Sequence, residues 1–116
     1  MSDLADRKCV PCRGGVPPLS QEEVDRLLIE LDGWQAQGAH HIFKEYPFSN
    51  FAKALEFVNH AGAVAEKQNH HPDISFGWGK ARVEIYTHKI DGLTESDFIL
   101  AAKIDGATNG GSKKAS

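Results

Sequence analysis

The chain has 116 residues, a formal net charge of −3 at pH 7 and 41% hydrophobic residues, which predicts a single domain with its own core. Its lysines and arginines are scattered, so the basic stripe of a nucleic-acid-binding protein is missing. No apolar run approaches the roughly 20 residues of a membrane-spanning helix, and the N-terminus has no signal segment. We expect a cytoplasmic protein that binds neither nucleic acid nor membranes.

Residues 1–18 form a polar arm rich in proline and glycine, which predicts a flexible segment. The arm contains Cys9-Val10-Pro11-Cys12. A structural zinc site needs four ligands, and a redox motif would follow a strand and lead into a helix. We favour two thiols of minor structural importance, with a zinc site shared between subunits as an alternative.

The first helix is predicted to begin with a capping box formed by Ser20 and Glu23. It should end near Asp32-Gly33, because glycine readily adopts the left-handed conformation of a helix exit. Strands at residues 34–37 and 40–46 then predict a hairpin, the second from its alternating pattern.

The strongest predicted helix spans about residues 50–69, with Ser49 as the N-cap. Its apolar residues recur near one face, as expected of a helix that packs on a core. The members of this face are Phe51, Ala54, Leu55, Val58, Ala61, Ala65 and Gln68, widened by Phe57 and Val64.

Two further strands are predicted at residues 74–78 and 81–87, and a mostly apolar helix begins after them at Thr94. Residues 19–105 therefore form one domain in the order α-β-β-α-β-β-α, followed by a tail at 106–116 with a disordered composition. Tight connections favour antiparallel pairing. We predict an α+β two-layer sandwich, with a four-stranded antiparallel sheet and the helices on one face.

The paired histidines of His70-His71-Pro72-Asp73 are the strongest chemical signal in the sequence. Pro72 disfavours helical geometry at His71, so the long helix should end there. His88 is predicted at a strand end, and a helix exit and a strand end can meet at one rim of such a sandwich. Imidazoles transfer protons near neutral pH. His40, His41 and His60 are predicted to be surface or strand-packing residues.

The residues alone leave two other interpretations open for this cluster. One is a solvent-exposed polar loop with an edge-strand histidine. The other is a metal site, for which His70, His71, His88 and Asp73 are acceptable ligands. Adjacent histidines seldom aim at one ion, however, and the helical H-x-x-x-H spacing is absent. A covalent nucleophile is not supported, because no G-x-S-x-G motif exists and both cysteines lie in the arm.

Three blocks resemble the pterin-4a-carbinolamine dehydratase family: Glu66-Lys67-x-x-His70-His71-Pro72-Asp73, Thr87-His88 and Gly92-Leu93-Thr94-x-x-Asp97. The resemblance covers about residues 18–105 and implies the same fold in a homodimer or homotetramer. It also implies loss of water from 4a-hydroxytetrahydropterin, giving quinonoid dihydropterin in tetrahydrobiopterin recycling. No metal or cofactor is implied, because the pterin is the substrate. The alternative is a non-catalytic pterin-binding or protein-partner module, such as a transcriptional coactivator or an assembly factor.

The resemblance implies His70 and His88 as the catalytic pair, and His71 as a substrate-binding residue that can share the acid–base work. Asn69 departs from the family pattern, because it replaces an acidic residue common in animal members. The implied substrate-binding set is Glu66, Asn69, Asp73, Tyr86, Thr87 and Lys89, with Glu66 and Asp73 as candidate orienters of the imidazoles.

Overall fold

The computed structural model describes residues 17–108, so the Cys9–Cys12 motif lies outside the described residues. The predicted α-β-β-α-β-β-α order is confirmed. No helix of the described part is long and apolar enough to cross a membrane. The elements are α1 (Gln21–Leu28), β1 (Gln35–Gln37), β2 (His41–Pro47), α2 (Phe51–Gln68), β3 (Asp73–Phe76), β4 (Lys80–Ile85), a 3-10 turn (His88–Ile90) and α3 (Glu95–Thr108).

The strands form one antiparallel sheet in the order β1-β2-β4-β3, so β1 and β3 are its edges. In the central strand β4, Ala81, Val83 and Ile85 are fully buried beneath the helices. Arg82 and Glu84 alternate with them and point to the other face, as the two-residue period of a strand requires. The predicted two-layer arrangement is therefore confirmed.

A polar cluster joins the end of α3 to the sheet. The Asp105 carboxylate accepts hydrogen bonds from Trp34 Nε1 at 2.9 Å, Tyr46 Oη at 2.7 Å and Lys44 Nζ at 3.3 Å. Burial, together with the nearby Asp105 charge, raises the pKa of the Tyr46 hydroxyl well above its usual range. These bonds attach the C-terminal half of α3 to β2 and to Trp34.

The capping box of α1 is confirmed. The Ser20 N–H donates to Glu23 Oε1 at 2.9 Å, and the Glu23 N–H donates to Ser20 Oγ at 3.2 Å. The Ser20 N–H lowers the pKa of the Glu23 carboxyl, because it stabilises the charged form. The predicted end near Asp32-Gly33 was wrong: α1 ends at Leu28, and Gly33 (φ 85°) lies in the turn that follows.

Two details of α2 differ from the prediction. Its N-cap is Asn50 rather than Ser49, because the Asn50 side chain accepts the Lys53 N–H at 2.9 Å. Phe57, predicted only to widen the apolar face, is buried, whereas Phe51 is 44% exposed.

The last helix, α3, is longer than predicted. It continues past Gly106, where the tail was predicted to begin, to Thr108.

Candidate functional site

The exit of α2 places the paired histidines on the connection to β3. Asn69 adopts the left-handed conformation (φ 55°, ψ 41°), and its N–H donates to the carbonyls of the last helical turn. Asparagine tolerates this conformation better than most residues, and Pro72 keeps the chain out of the helical region at His71. Asn69, predicted as a substrate-binding residue, is thus also the residue that ends the helix.

His70 is held by a buried carboxylate. Its Nε2 lies 2.6 Å from Asp97 Oδ1; the Asp97 side chain has no exposed surface, and that of His70 is 14% exposed. Asp97 Oδ2 accepts from Thr87 Oγ1 and from the Thr94 N–H, both at 2.8 Å. Because an ionised carboxylate only accepts hydrogen bonds, the His70 proton lies on Nε2. Nδ1 is the ring nitrogen that does not contact Asp97.

His71 has a different environment, although its hydrogen bond is equally short. Its Nε2 lies 2.6 Å from Glu66 Oε2, and the two side chains are 53% and 79% exposed. The sequence left Glu66 as a possible orienter of the neighbouring imidazoles; in the structure its contact is with His71. Solvent screens an exposed pair, so this contact orients His71 only weakly.

His88 lies on the 3-10 turn rather than on the strand. β4 ends at Ile85, and Thr87 then forms an isolated bridge with Gly92, which closes the turn. The predicted strand, which ran through residue 87, was therefore too long by two residues. His88 Nε2 lies 3.7 Å from Asp73 Oδ2, and the His88 ring packs on Tyr86 with a centroid distance of 4.2 Å.

Two carboxylates join the α2 exit to the region after β4. Asp97 contacts His70 and Thr87, and Thr87 is buried directly before His88. Asp73, at the start of β3, faces His88. Tyr86 is half-buried beside His88, and Lys89 is exposed on the same turn. The predicted site residues therefore share one end of the sheet.

Asp97 is the residue that sequence reasoning missed. The sequence placed it only in the third resemblance block, at the start of the last helix and three residues after Thr94. Its side chain does accept the Thr94 N–H, as such a residue should. The match to that block was the one signal in the sequence that pointed to Asp97. A carboxylate that accepts an N–H at a helix start through one oxygen can bind a second partner through the other, and here that partner is His70.

The three predicted histidines contact separate carboxylates and do not converge on one point. Within residues 17–108, no three His, Cys, Asp or Glu side chains are placed to hold a metal ion. Each of the three predicted histidines instead faces its own carboxylate. A cavity of about 630 Å³ lies elsewhere and contains none of the predicted site residues: Glu45, Ser75, Phe76, Gly77, Trp78, Gly79, Lys80 and Arg82 line it. The candidate site is therefore defined by its histidine–carboxylate contacts and not by this cavity.

Comparison with known proteins gives one consistent family. A family model described as pterin 4 alpha carbinolamine dehydratase matches residues 17–107. A protein of Rubrobacter xylanophilus is 59% identical over 105 residues, which are 90% of this chain and 98% of the relative. A protein of Rickettsia canadensis is 55% identical over 106 residues, 90% of this chain and 97% of the relative. Both carry the name "Putative pterin-4-alpha-carbinolamine dehydratase".

Solved structures agree with the fold. A transcriptional coactivator/pterin dehydratase from Brucella melitensis has a TM-score of 0.72 and 33% identity, and the match covers 78% of this chain and 98% of that chain. A pterin dehydratase-like protein, identified as a RuBisCO assembly factor in the alpha-carboxysome, has a TM-score of 0.56 and 24% identity, covering 66% and 90% of the two chains. At that identity the second likeness shows the fold alone.

Proposed function

The chain belongs to the pterin-4a-carbinolamine dehydratase family, and we propose that it converts 4a-hydroxytetrahydropterin to quinonoid dihydropterin and water in tetrahydrobiopterin recycling. One observation carries this proposal. Each of the three histidines in the matched motifs lies beside a different carboxylate: His70 beside Asp97, His71 beside Glu66 and His88 beside Asp73. Paired imidazoles of this kind are suited to give and take protons near neutral pH.

The reaction needs both a proton donor and a proton acceptor. The C4a–O bond of the substrate breaks, and the hydroxyl leaves as water after an acid protonates it. A base removes the proton from N5, and the electron pair of that N–H bond forms the C4a–N5 double bond. Nothing is oxidised or reduced, so two imidazoles in opposite protonation states are sufficient.

His70 and His88 are the proposed acid–base pair. Asp97 holds the His70 ring at Nε2 and leaves Nδ1 for the substrate. His88 is more exposed and has a longer contact to Asp73, so its ring can meet a substrate that enters from solvent. His71 is also exposed. We assign it to substrate binding, together with Glu66.

The experiment follows the absorbance decay of freshly generated 4a-carbinolamine. We expect the wild-type protein to accelerate the decay over buffer. His70→Ala and His88→Ala should each lower kcat by about 100-fold, the lower end of what general acid–base catalysis contributes. His60→Ala removes an exposed histidine of α2 and should match wild type. No acceleration by the wild-type protein would overturn the proposal.

We also propose that no metal or further cofactor takes part, because the pterin is itself the substrate. Treatment with a chelator, followed by elemental analysis and the same assay, tests this. Activity should survive the treatment. Zinc present in stoichiometric amount and lost together with activity would instead support a metal site.

A homodimer or homotetramer is the proposed assembly. β1 and β3 are edge strands of the sheet, and an open edge can pair with another chain unless it is protected. Light scattering coupled to size-exclusion chromatography measures the mass directly. A monomer at all concentrations used in the assay would contradict this part of the proposal.

A partner-binding role is the second candidate. It is supported by the Brucella melitensis protein, a transcriptional coactivator/pterin dehydratase that is 33% identical to this chain. In this chain Trp78 is 71% exposed on the β3–β4 turn, and tryptophan is enriched among the residues that dominate interfaces. A complex that survives in His70→Ala/His88→Ala and is lost in Trp78→Ala would separate this role from catalysis.

A further inference from the structure

Four rings form a cluster beside the candidate site, and only part of it was assigned a role above. We call His40, His41, Tyr86 and His88 the ring cluster. Tyr86 contacts His40 and His88 with centroid distances of 4.5 Å and 4.2 Å. His40 and His41 lie edge to face at 5.2 Å. His40, predicted to be a surface or strand-packing residue, thus packs on the ring that supports His88.

A second contact ties His40 to the turn that carries His88. Asp91 closes the 3-10 turn in the left-handed conformation (φ 51°), and its N–H donates to the His88 carbonyl at 3.2 Å. The Asp91 carboxylate accepts from His40 Nε2 at 2.7 Å. His40, in the β1–β2 turn, therefore reaches the His88 segment by two routes. One is its ring contact with Tyr86, and the other is its hydrogen bond to Asp91.

The hydrogen bonds fix the orientation of the His40 ring. Asp91 can only accept, so His40 Nε2 carries a proton. His40 Nδ1 lies 3.0 Å from His41 Nδ1, and His41 Nε2 lies 3.4 Å from Glu84 Oε2. Both His40 nitrogens are therefore engaged while its ring packs on Tyr86, so three contacts hold the ring in this orientation.

We propose that His40 is a positioning residue for His88, acting through Tyr86 and Asp91. This proposal depends on the proposed function in one respect, namely that His88 is a catalytic residue. A stabilising role for the fold does not account for these contacts. The His40 and Asp91 side chains are 42% and 83% exposed, and exposed ion pairs add little to stability. Their effect should fall on the placement of His88.

Kinetics of His40→Ala provide the first test, with His60→Ala as the matched control for loss of a histidine. Loss of alignment of a reacting group can cost up to about 100-fold in rate, and for this indirect effect we expect about a 10-fold fall in kcat. KM and the unfolding midpoint should stay close to those of the control. His40→Gln keeps a donor for Asp91, and His40→Phe keeps a ring on Tyr86; each should restore part of kcat.

Proton NMR of the His88 ring, recorded without substrate, provides a second and independent test. The His88 signals are assigned by their loss in His88→Gln. Their shifts depend on the Tyr86 ring, so we expect them to move in His40→Ala and not in His60→Ala. Unmoved signals would overturn the proposal whatever the kinetics show. Moved signals with a kcat equal to the control would overturn the functional part.

The two proposals can fail separately. A wild-type protein without dehydratase activity removes the proposed function, and the NMR comparison then decides alone whether His40 positions His88. An active wild type with unmoved His88 signals in His40→Ala removes the positioning role and leaves the dehydratase proposal intact.

Discussion

Asp97 is a carboxylate with no exposed surface that serves three partners at once. It accepts from His70, Thr87 and the Thr94 N–H. A buried charge is tolerated only when it is well supplied with donors, and these three donors meet that requirement. The same hydrogen bonds start α3, hold the residue before His88 and orient His70. One residue therefore couples the stability of the fold to the geometry of the site.

Asp97→Asn should lower both stability and activity, and Glu66→Gln is the matched control for stability. Both carboxylates lie 2.6 Å from a histidine, and only Asp97 is buried. The asparagine amide has no negative charge to attract the donors on His70, Thr87 and Thr94. Its presence should therefore lower the free energy of unfolding by about 2 kcal/mol. Glu66→Gln should unfold at the urea concentration of the wild type. Equal midpoints for the two variants would show that burial of the carboxylate has no energetic consequence.

The ends of the elements separate what local sequence can predict from what it cannot. The Ser20–Glu23 box was read correctly, because both partners lie within four residues of one another. Ser49 and Asn50 are both favoured N-cap types, and the structure decides between them by the hydrogen bond from the Lys53 N–H to the Asn50 side chain. β4 was predicted to reach Thr87, but the Thr87–Gly92 bridge turns the chain there. The contact of Asp97 with His70 spans 27 positions, beyond the reach of any local pattern.

The N-cap assignment predicts a clear difference between two neighbouring substitutions. Asn50→Ala removes the side-chain acceptor of the Lys53 N–H and should lower the free energy of unfolding by about 1 kcal/mol. Ser49→Ala removes a side chain that does not cap α2 and should have a smaller effect. Urea unfolding of the two variants measures this. A larger loss in Ser49→Ala than in Asn50→Ala would contradict the assignment.

The contact between β2 and α3 predicts a stability that depends on alkaline pH. The folded state raises the pKa of Tyr46 because the hydroxyl is buried and faces Asp105. Its contribution is therefore fully present below the unfolded pKa of about 10 and is lost as pH rises above that value toward the folded pKa. Tyr46→Phe should lower the free energy of unfolding by about 1 kcal/mol at pH 7.

Urea unfolding between neutral and alkaline pH measures the Tyr46 effect. The stability of wild type should fall more steeply than that of Tyr46→Phe as pH rises above about 10. Lys44 remains beside Asp105 in both proteins, so the two proteins differ only in the Tyr46 hydroxyl. Parallel curves for the two proteins would rule out Tyr46 as the source of the alkaline loss.

At the scale of the whole molecule, the topology brings separate segments to one end of the sheet. The α2 exit, the start of β3 and the turn after β4 meet there through Asp73 and Asp97. The start of the described chain joins them, because the Leu19 N–H donates to the Leu93 carbonyl at 2.8 Å. The predicted arm boundary at residue 18 therefore falls beside Gly92, in the loop that follows His88.

Gly92 shows how closely these segments are packed. A Cβ at Gly92 would lie 2.6 Å from Pro18 Cβ, whereas a Cβ at Gly62 in α2 would meet nothing within 4 Å. Gly92→Ala must displace the Pro18 segment and weaken the Leu19–Leu93 hydrogen bond. It should therefore lower the free energy of unfolding by about 1–2 kcal/mol. Gly62→Ala should be neutral or stabilising by up to about 1 kcal/mol, since alanine favours a helix interior.

Urea unfolding of these two glycine variants distinguishes local packing from a general intolerance of added methyl groups. The Thr87–Gly92 bridge encloses His88, so a displaced Gly92 should also lower kcat in the carbinolamine assay, and Gly62→Ala should not. Loss of stability without loss of activity would mean that the Pro18 segment supports the fold alone. Wild-type stability in Gly92→Ala would mean that the first described residues do not pack on the site in solution.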